Sequence, residues 1–368
     1  MKALHGRVSL VLVAAVCCSV FAREIHVSKS GSDGAAGDAA NPYLTVSKAA
    51  SVAQPGDTTT IHAGIYREFV NPPRGGTSET ARITYRAATG ETATLSGAER
   101  ITTWVSQGSG VWKVDLPSTF FGSRNPYTIQ VDENYCNYGC ARNGGFVHCG
   151  LVYLNDEALH EVNSLSSVQG AANNWYCSTS GSTTSIYANF GSANPNTEMA
   201  EINVREMVFN APSGTGFIAL QGLHIEKAAT NWQPPSGIQE AMVCIEAGQR
   251  WIIEDCVLRY GRAVGISLTR GSNSPTTTGH HIIRNNIIQR CGQGAIAGCC
   301  GSHFASEIYG NLMEDINYLV EFGGAESAAI KLHFSKDVVI RNNCIRRVYS
   351  KANVDGHGHA IWLDCGTQ

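Results

Sequence analysis

Four stretches carry one pattern: WIIEDCVL (251–258), HIIRNNII (281–288), SEIYGNLM (306–313) and VVIRNNCI (338–345). Their starts lie 30, 25 and 32 residues apart, and FIALQGLHI (217–225) adds a weaker copy 34 residues before the first. Each copy runs apolar, polar, Asn-like, apolar. The Asn-like column reads Gly222, Cys256, Asn286, Asn311 and Asn343. Asparagine tolerates the left-handed backbone of a sharp corner, and asparagines stacked on successive coils can hydrogen-bond along the stack. The unit is too short for a propeller blade and lacks the patterns of leucine-rich or helical repeats. The spacing therefore predicts an all-β chain, a right-handed parallel β-helix with one coil per repeat.

A second strand follows in each coil: GISLT (265–269), AIAGC (295–299), AIKLH (329–333) and AIWLD (360–364). Strand alternation sends each isoleucine and the residue two later inward. Lys331 and His333 then point outward on one coil, with Trp362 and Asp364 on the next, ~4.8 Å away. Each has a plain explanation. An outward Asp is usually a solvated edge, His333 alone reads as a hydrogen-bonded structural imidazole, and Lys331 could pair with Glu326 or Asp364. Trp362 could pack under a loop or stack on a sugar ring. Taken together, a cation, an imidazole, an indole and an acid on one outer face mark a candidate sugar-binding groove. Glu326, in GGAESAAIK just upstream, can curl over it.

The flanks read differently. Residues 23–97 hold a short strand at Ile25, a small amphipathic helix over Thr45–Val52 and further strands, as expected of a cap and first coils. Residues 98–206 carry short alternating segments at irregular spacing, which predict an inserted antiparallel sandwich. Coils resume over 207–368. Residues 1–22 pair Lys2 and Arg7 with an apolar run ending at Val20-Phe21-Ala22, the pattern of a secretory signal peptide. The expected location is extracellular.

With Lys+Arg 27 against Asp+Glu 30, the charge balance argues against a nucleic-acid binder. Thirteen cysteines occur, of which Cys17 and Cys18 fall in the leader. Cys136, Cys140 and Cys149 cluster beside His148. A zinc site is conceivable there, but in an oxidising compartment disulfides are the expected use. No cofactor and no metal is called for.

At these motifs the sequence resembles glycoside hydrolase family 120, the β-xylosidases built on a right-handed β-helix interrupted by an outer β-sandwich. The similarity runs in order through TVSKAASVAQPGDTTTIHAGIYREFV, LPSTFFGSRNPY, SIYANF, HIIRNNIIQRCGQGAIAG, AAIKLH and AIWLD. It implies retaining hydrolysis of terminal β-xylosyl units from short xylo-oligosaccharides. Asp364 would be the nucleophile, forming a glycosyl-enzyme ester. Lys331 or protonated His333 would favour its ionised form. The resemblance also implies substrate contacts from Glu326, Lys331, His333, Trp362 and, from the insertion, Tyr135.

Two family histidines are replaced here, by Ala325 and Cys299. The family's acid/base Glu lies one coil beyond Asp364, and the sequence ends at Gln368. The expectation is a truncated chain with little or no hydrolase activity. Two other classes stay open: a polysaccharide lyase using Lys331 or His333 as base, and a non-catalytic carbohydrate-binding β-helix protein. The expected partner is an oligosaccharide, with neither nucleic acid nor membrane, and self-association is left open.

Overall fold

The computed structural model describes residues 22–131, 147–231, 240–245, 247–268, 279–298, 303–322, 327–349 and 358–364. Three parallel sheets build a right-handed β-helix. The first runs, coil by coil, through Glu24–Val27, Thr58–Ile61, Ile83–Ala87, Ile218–Gln221, Ile252–Glu254, Ile282–Arg284, Glu307–Tyr309 and Val339–Arg341. The second follows one corner later, from Gly64–Tyr66 to Cys344–Val348. The third comprises Phe209–Asn210, Ala241–Cys244, Val264–Ser267, Gly294–Gly298, Ala328–His333 and His359–Asp364.

Inward side chains from all three sheets fuse into one core, in which Ile266, Ile296 and Ile330 stack as a column and Ile253, Ile283 and Ile308 as another. Each fully buried Ile or Leu contributes roughly 1.5–3 kcal/mol. The first coil is closed by the helix Val46–Val52, which Thr45 caps by accepting the Lys48 N–H. Its Val46, Ala49 and Ala50 pack on Ile25, Val27 and Ile61. Among the described residues no helix is long and apolar enough to cross a membrane.

The asparagine column forms as a ladder. Asn286 Oδ1 accepts the Cys256 N–H, Asn311 Oδ1 accepts the Asn286 N–H, and Asn343 Oδ1 accepts the Asn311 N–H, each at 3.0 Å. Two details differ from the sequence reading. The left-handed residue of this corner lies one position earlier, at Asp255, Asn285, Gly310 and Asn342. Asparagine therefore serves in the next position by its side-chain bonds. The copy at Phe217 is also shifted by one: Gln221 pairs with Glu254, so Gly222 belongs with the left-handed Asp255 and Leu223 takes the ladder position.

The chain leaves the β-helix after Ser96 and builds two further sheets. One orders Glu157–Ala158, Val152–Leu154, Ala200–Asn203 and Ala98–Arg100; the other orders His160–Glu161, Asn174–Ser180, Thr183–Asn189, Val111–Pro117 and Val105–Gly108. All their pairings are antiparallel except that of His160–Glu161 with Asn174–Ser180. A separate core around Trp104, Tyr127, Trp175 and Phe190 holds them together.

The expected disulfide use of Cys149 is corrected. Its thiol is free and buried among Val131, Val147, Ala263 and Phe322, so apolar packing takes the place of a bridge. Cys177, Cys256, Cys291 and Cys344 are free thiols as well. Cys136 and Cys140 lie outside the described residues.

Candidate active site

The candidate site is set by register. Ala328–His333 pairs with His359–Asp364 so that Lys331 faces Trp362 and His333 faces Asp364. Ile330 and Leu332 are anchored in the core, which fixes the intervening residues outward. The rotamers of Lys331 and His333 therefore rest on a rigid rung, not on a loop.

Lys331 Nζ donates to Asp364 Oδ2 at 2.8 Å, and His333 Nδ1 lies 3.6 Å from the same oxygen. The ammonium also sits 3.0 Å from the centroid of the Trp362 ring, and His359 meets that indole edge-on with centroids 4.7 Å apart. One indole face is thus covered by a cation, and a stacked ligand has to use the other. Lys331 and His333, although directed away from the β-helix core, are buried, whereas the Asp364 side chain is 27% accessible. The carboxylate is the reachable group, resting on a cationic floor. Such an arrangement can hold an anionic oxygen ready for nucleophilic attack on an electrophilic carbon.

Buried polar contacts also link the neighbouring coils and the insertion. His303 Nε2 lies 3.0 Å from Ser335 Oγ; burial, and secondarily the charge of His333, push its pKa down to about 4, so it is neutral at ordinary pH. Arg262 is fully buried. Its Nη1 donates to Glu321 at 2.6 Å and its Nε to the His148 carbonyl at 2.9 Å, joining the β-helix to the insertion. Burial opposes its charge, but Glu321 and Glu161 outweigh that cost and raise its pKa.

Of the sequence candidates, Lys331, His333, Trp362 and Asp364 come together. Glu326 and Tyr135 lie outside the described residues, as do Ala325 and Cys299. Sequence reasoning passed over Arg262, Glu321 and His303. Their partners come from distant stretches of chain, so no local spacing marks them.

Residues 101–174 match the glycoside hydrolase 120 insertion domain. A solved structure described as the complex of XylC with xylose superposes with a TM-score of 0.83 and 34% identity, covering 93% of this chain. The insertion matches that of glycoside hydrolase family 120, and the fold as a whole is similar to that of XylC. The chain spans 60% of the XylC structure's length. A second structure, described as a glycoside hydrolase, aligns at 14% identity and TM-score 0.63, covering 93% of this chain and 80% of its own. The GH136 lacto-N-biosidase of Eubacterium ramulus aligns at 13% identity and TM-score 0.50, covering 94% of this chain and 55% of its own. Those two likenesses concern the fold alone. No curated protein matches at a significant level.

Proposed function

We propose that this chain acts as a retaining, exo-acting β-xylosidase outside the cell on short xylo-oligosaccharides, with Asp364 as its nucleophile. The observation that carries this reading is Asp364, an accessible carboxylate hydrogen-bonded to Lys331 on an adjoining rung beside Trp362. The xylose named with the 34% identical XylC structure supports the sugar class. In this reading Asp364 attacks the anomeric carbon while the glycosidic bond to the leaving oxygen breaks. Water then cleaves the resulting ester. Both steps need a second carboxyl ~5–5.5 Å from the nucleophile, first as acid and then as base. The leader at 1–22 supports export. Lys331, paired with a carboxylate, is poorly suited to act as the base a lyase requires, which favours hydrolysis over elimination.

A dinitrophenyl 2-deoxy-2-fluoro-β-xyloside tests the reading. Its leaving group departs without protonation, so the ester can form whether or not the acid carboxyl is supplied. Peptide mass spectrometry should find one fluoroxylosyl adduct, on Asp364. Labelling of another residue, or none in a folded sample at saturating reagent, would refute the assignment.

A further inference from the structure

A second cluster of reactive side chains lies inside the insertion, away from the groove rung. His148 forms an antiparallel bridge with Gln130, Glu161 ends the short strand His160–Glu161, and Cys177 sits in Asn174–Ser180. His148 Nδ1 lies 2.5 Å from Glu161 Oε1 and 3.7 Å from Cys177 Sγ, and the three donor atoms all lie within 4.8 Å of one another. Glu161 and Cys177 are 3% and 5% exposed, while the His148 side chain is 20% accessible and offers a way in.

We propose that His148, Glu161 and Cys177 form a binding site for a divalent transition metal, zinc foremost. Nitrogen, carboxylate and thiolate are the ligand types zinc takes, at ~2.0–2.1, ~2.0–2.2 and ~2.3 Å. Tetrahedral angles then put nitrogen and sulfur about 3.6 Å apart, close to the distance observed, and nitrogen and oxygen about 3.4 Å apart. Binding therefore asks the His148–Glu161 hydrogen bond to open by about 0.9 Å, through a small turn of the imidazole. Glu161 Oε2 is already held by the His148 N–H at 2.7 Å, which aims Oε1 at the site as outer hydrogen bonds do for metal ligands.

The charges and protons balance. Binding removes the Cys177 thiol proton and takes the Nδ1 proton off that nitrogen, leaving an imidazole protonated at Nε2, a carboxylate and a thiolate. These ligands neutralise a dication in a buried setting, and water takes the fourth position. The ion would tie the residues following the Cys136–Cys140 segment to the sandwich sheet. Because the His148 carbonyl accepts from buried Arg262, the clamp would also bear on the β-helix.

The test uses the chain with Cys136 and Cys140 changed to Ser, so that a thiolate band reports on the site. Cobalt(II) should bind with one equivalent, give a near-ultraviolet thiolate-to-cobalt band, and be displaced by zinc. Cys177→Ser should abolish the band, and both it and His148→Gln should weaken zinc binding on the order of 100-fold. Zinc should raise the melting temperature of the parent but of neither variant. Should one variant fail to fold, by circular dichroism, the other still decides. Cobalt bound without a thiolate band, or equal zinc affinity in parent and variants, would overturn the site.

Discussion

The Lys331 ammonium stands 2.8 Å from the Asp364 carboxylate, on the adjoining rung of the same sheet. An exposed ion pair of this length is worth little. Here the lysine is 1% exposed and its ammonium is also pressed on the Trp362 ring, so both partners are placed by the backbone. Pre-set charge of this kind is the device by which a site stabilises a reacting oxygen without reorganising.

Lys331→Met should therefore slow labelling of Asp364 by the fluoroxyloside at least about 100-fold, the scale of losing one oriented charge or donor. Lys331→Arg should not restore it, because a planar guanidinium does not replace a compact ammonium over the indole. Single-turnover labelling rates decide. A loss below threefold would mean that the lysine only fills space.

Asn311 tests the ladder. Its Oδ1 accepts from the Asn286 N–H and Nδ2, and its own Nδ2 donates to the Ile283 carbonyl and to Asn343 Oδ1. Alanine would leave buried amide groups unpaired, at ~1–3 kcal/mol each. Asn311→Ala should thus cost roughly 3 kcal/mol. Asn343→Ala should cost less, because Asn343 is only half-buried. Denaturant midpoints of the two variants provide the comparison, and equal midpoints would argue against the burial explanation.

The repeat and the shared face of four side chains were legible because both follow from local rules. Stacked asparagines mark a coil, and residue parity sends Lys331, His333, Trp362 and Asp364 to one face. Gly222 misled the alignment because glycine suits either of two adjacent corner positions, and only pairing with the next coil separates them. The burial of Lys331 and His333 was not legible either. Outward on a strand does not mean exposed, since parity says nothing of what packs over the face. Glu161 and Cys177 meet His148 from other strands, so no spacing rule joins them.

Lys227 is a buried charged link between β-helix and insertion. Its Nζ lies 2.5 Å from both Asp156 and Glu201 and 3.2 Å from Glu226, with Glu201 and Glu226 buried beside it. Burial opposes the ammonium, yet Glu226 and Glu201 outweigh it and raise its pKa. Lys227→Met would leave buried carboxylates uncompensated, a change that typically costs ~3–5 kcal/mol. Limited proteolysis should then cut the insertion much faster than in the parent protein. An unchanged cleavage pattern and midpoint would show that Arg67 and Arg259, which pair with Glu201 and Glu226, suffice.

Two buried imidazoles set an acid limit on stability. His281 accepts the Trp251 N–H at Nδ1, and burial, with smaller contributions from His303 and His280, pushes its pKa down to about 3; that of His303 falls to about 4. In the unfolded chain a histidine titrates near ~6.5. Between those values the unfolded state binds a proton that the native state refuses, so stability is full above ~6.5 and falls as pH drops toward about 4 and then about 3. At about pH 5 each histidine should withdraw ~2 kcal/mol relative to neutral pH. The melting temperature should accordingly fall between about pH 7 and about pH 5, and His281→Asn, which keeps an acceptor for Trp251 but cannot titrate, should flatten that fall. Calorimetric scans that give parent and variant the same pH slope would mean that His281 is not held neutral in the folded protein.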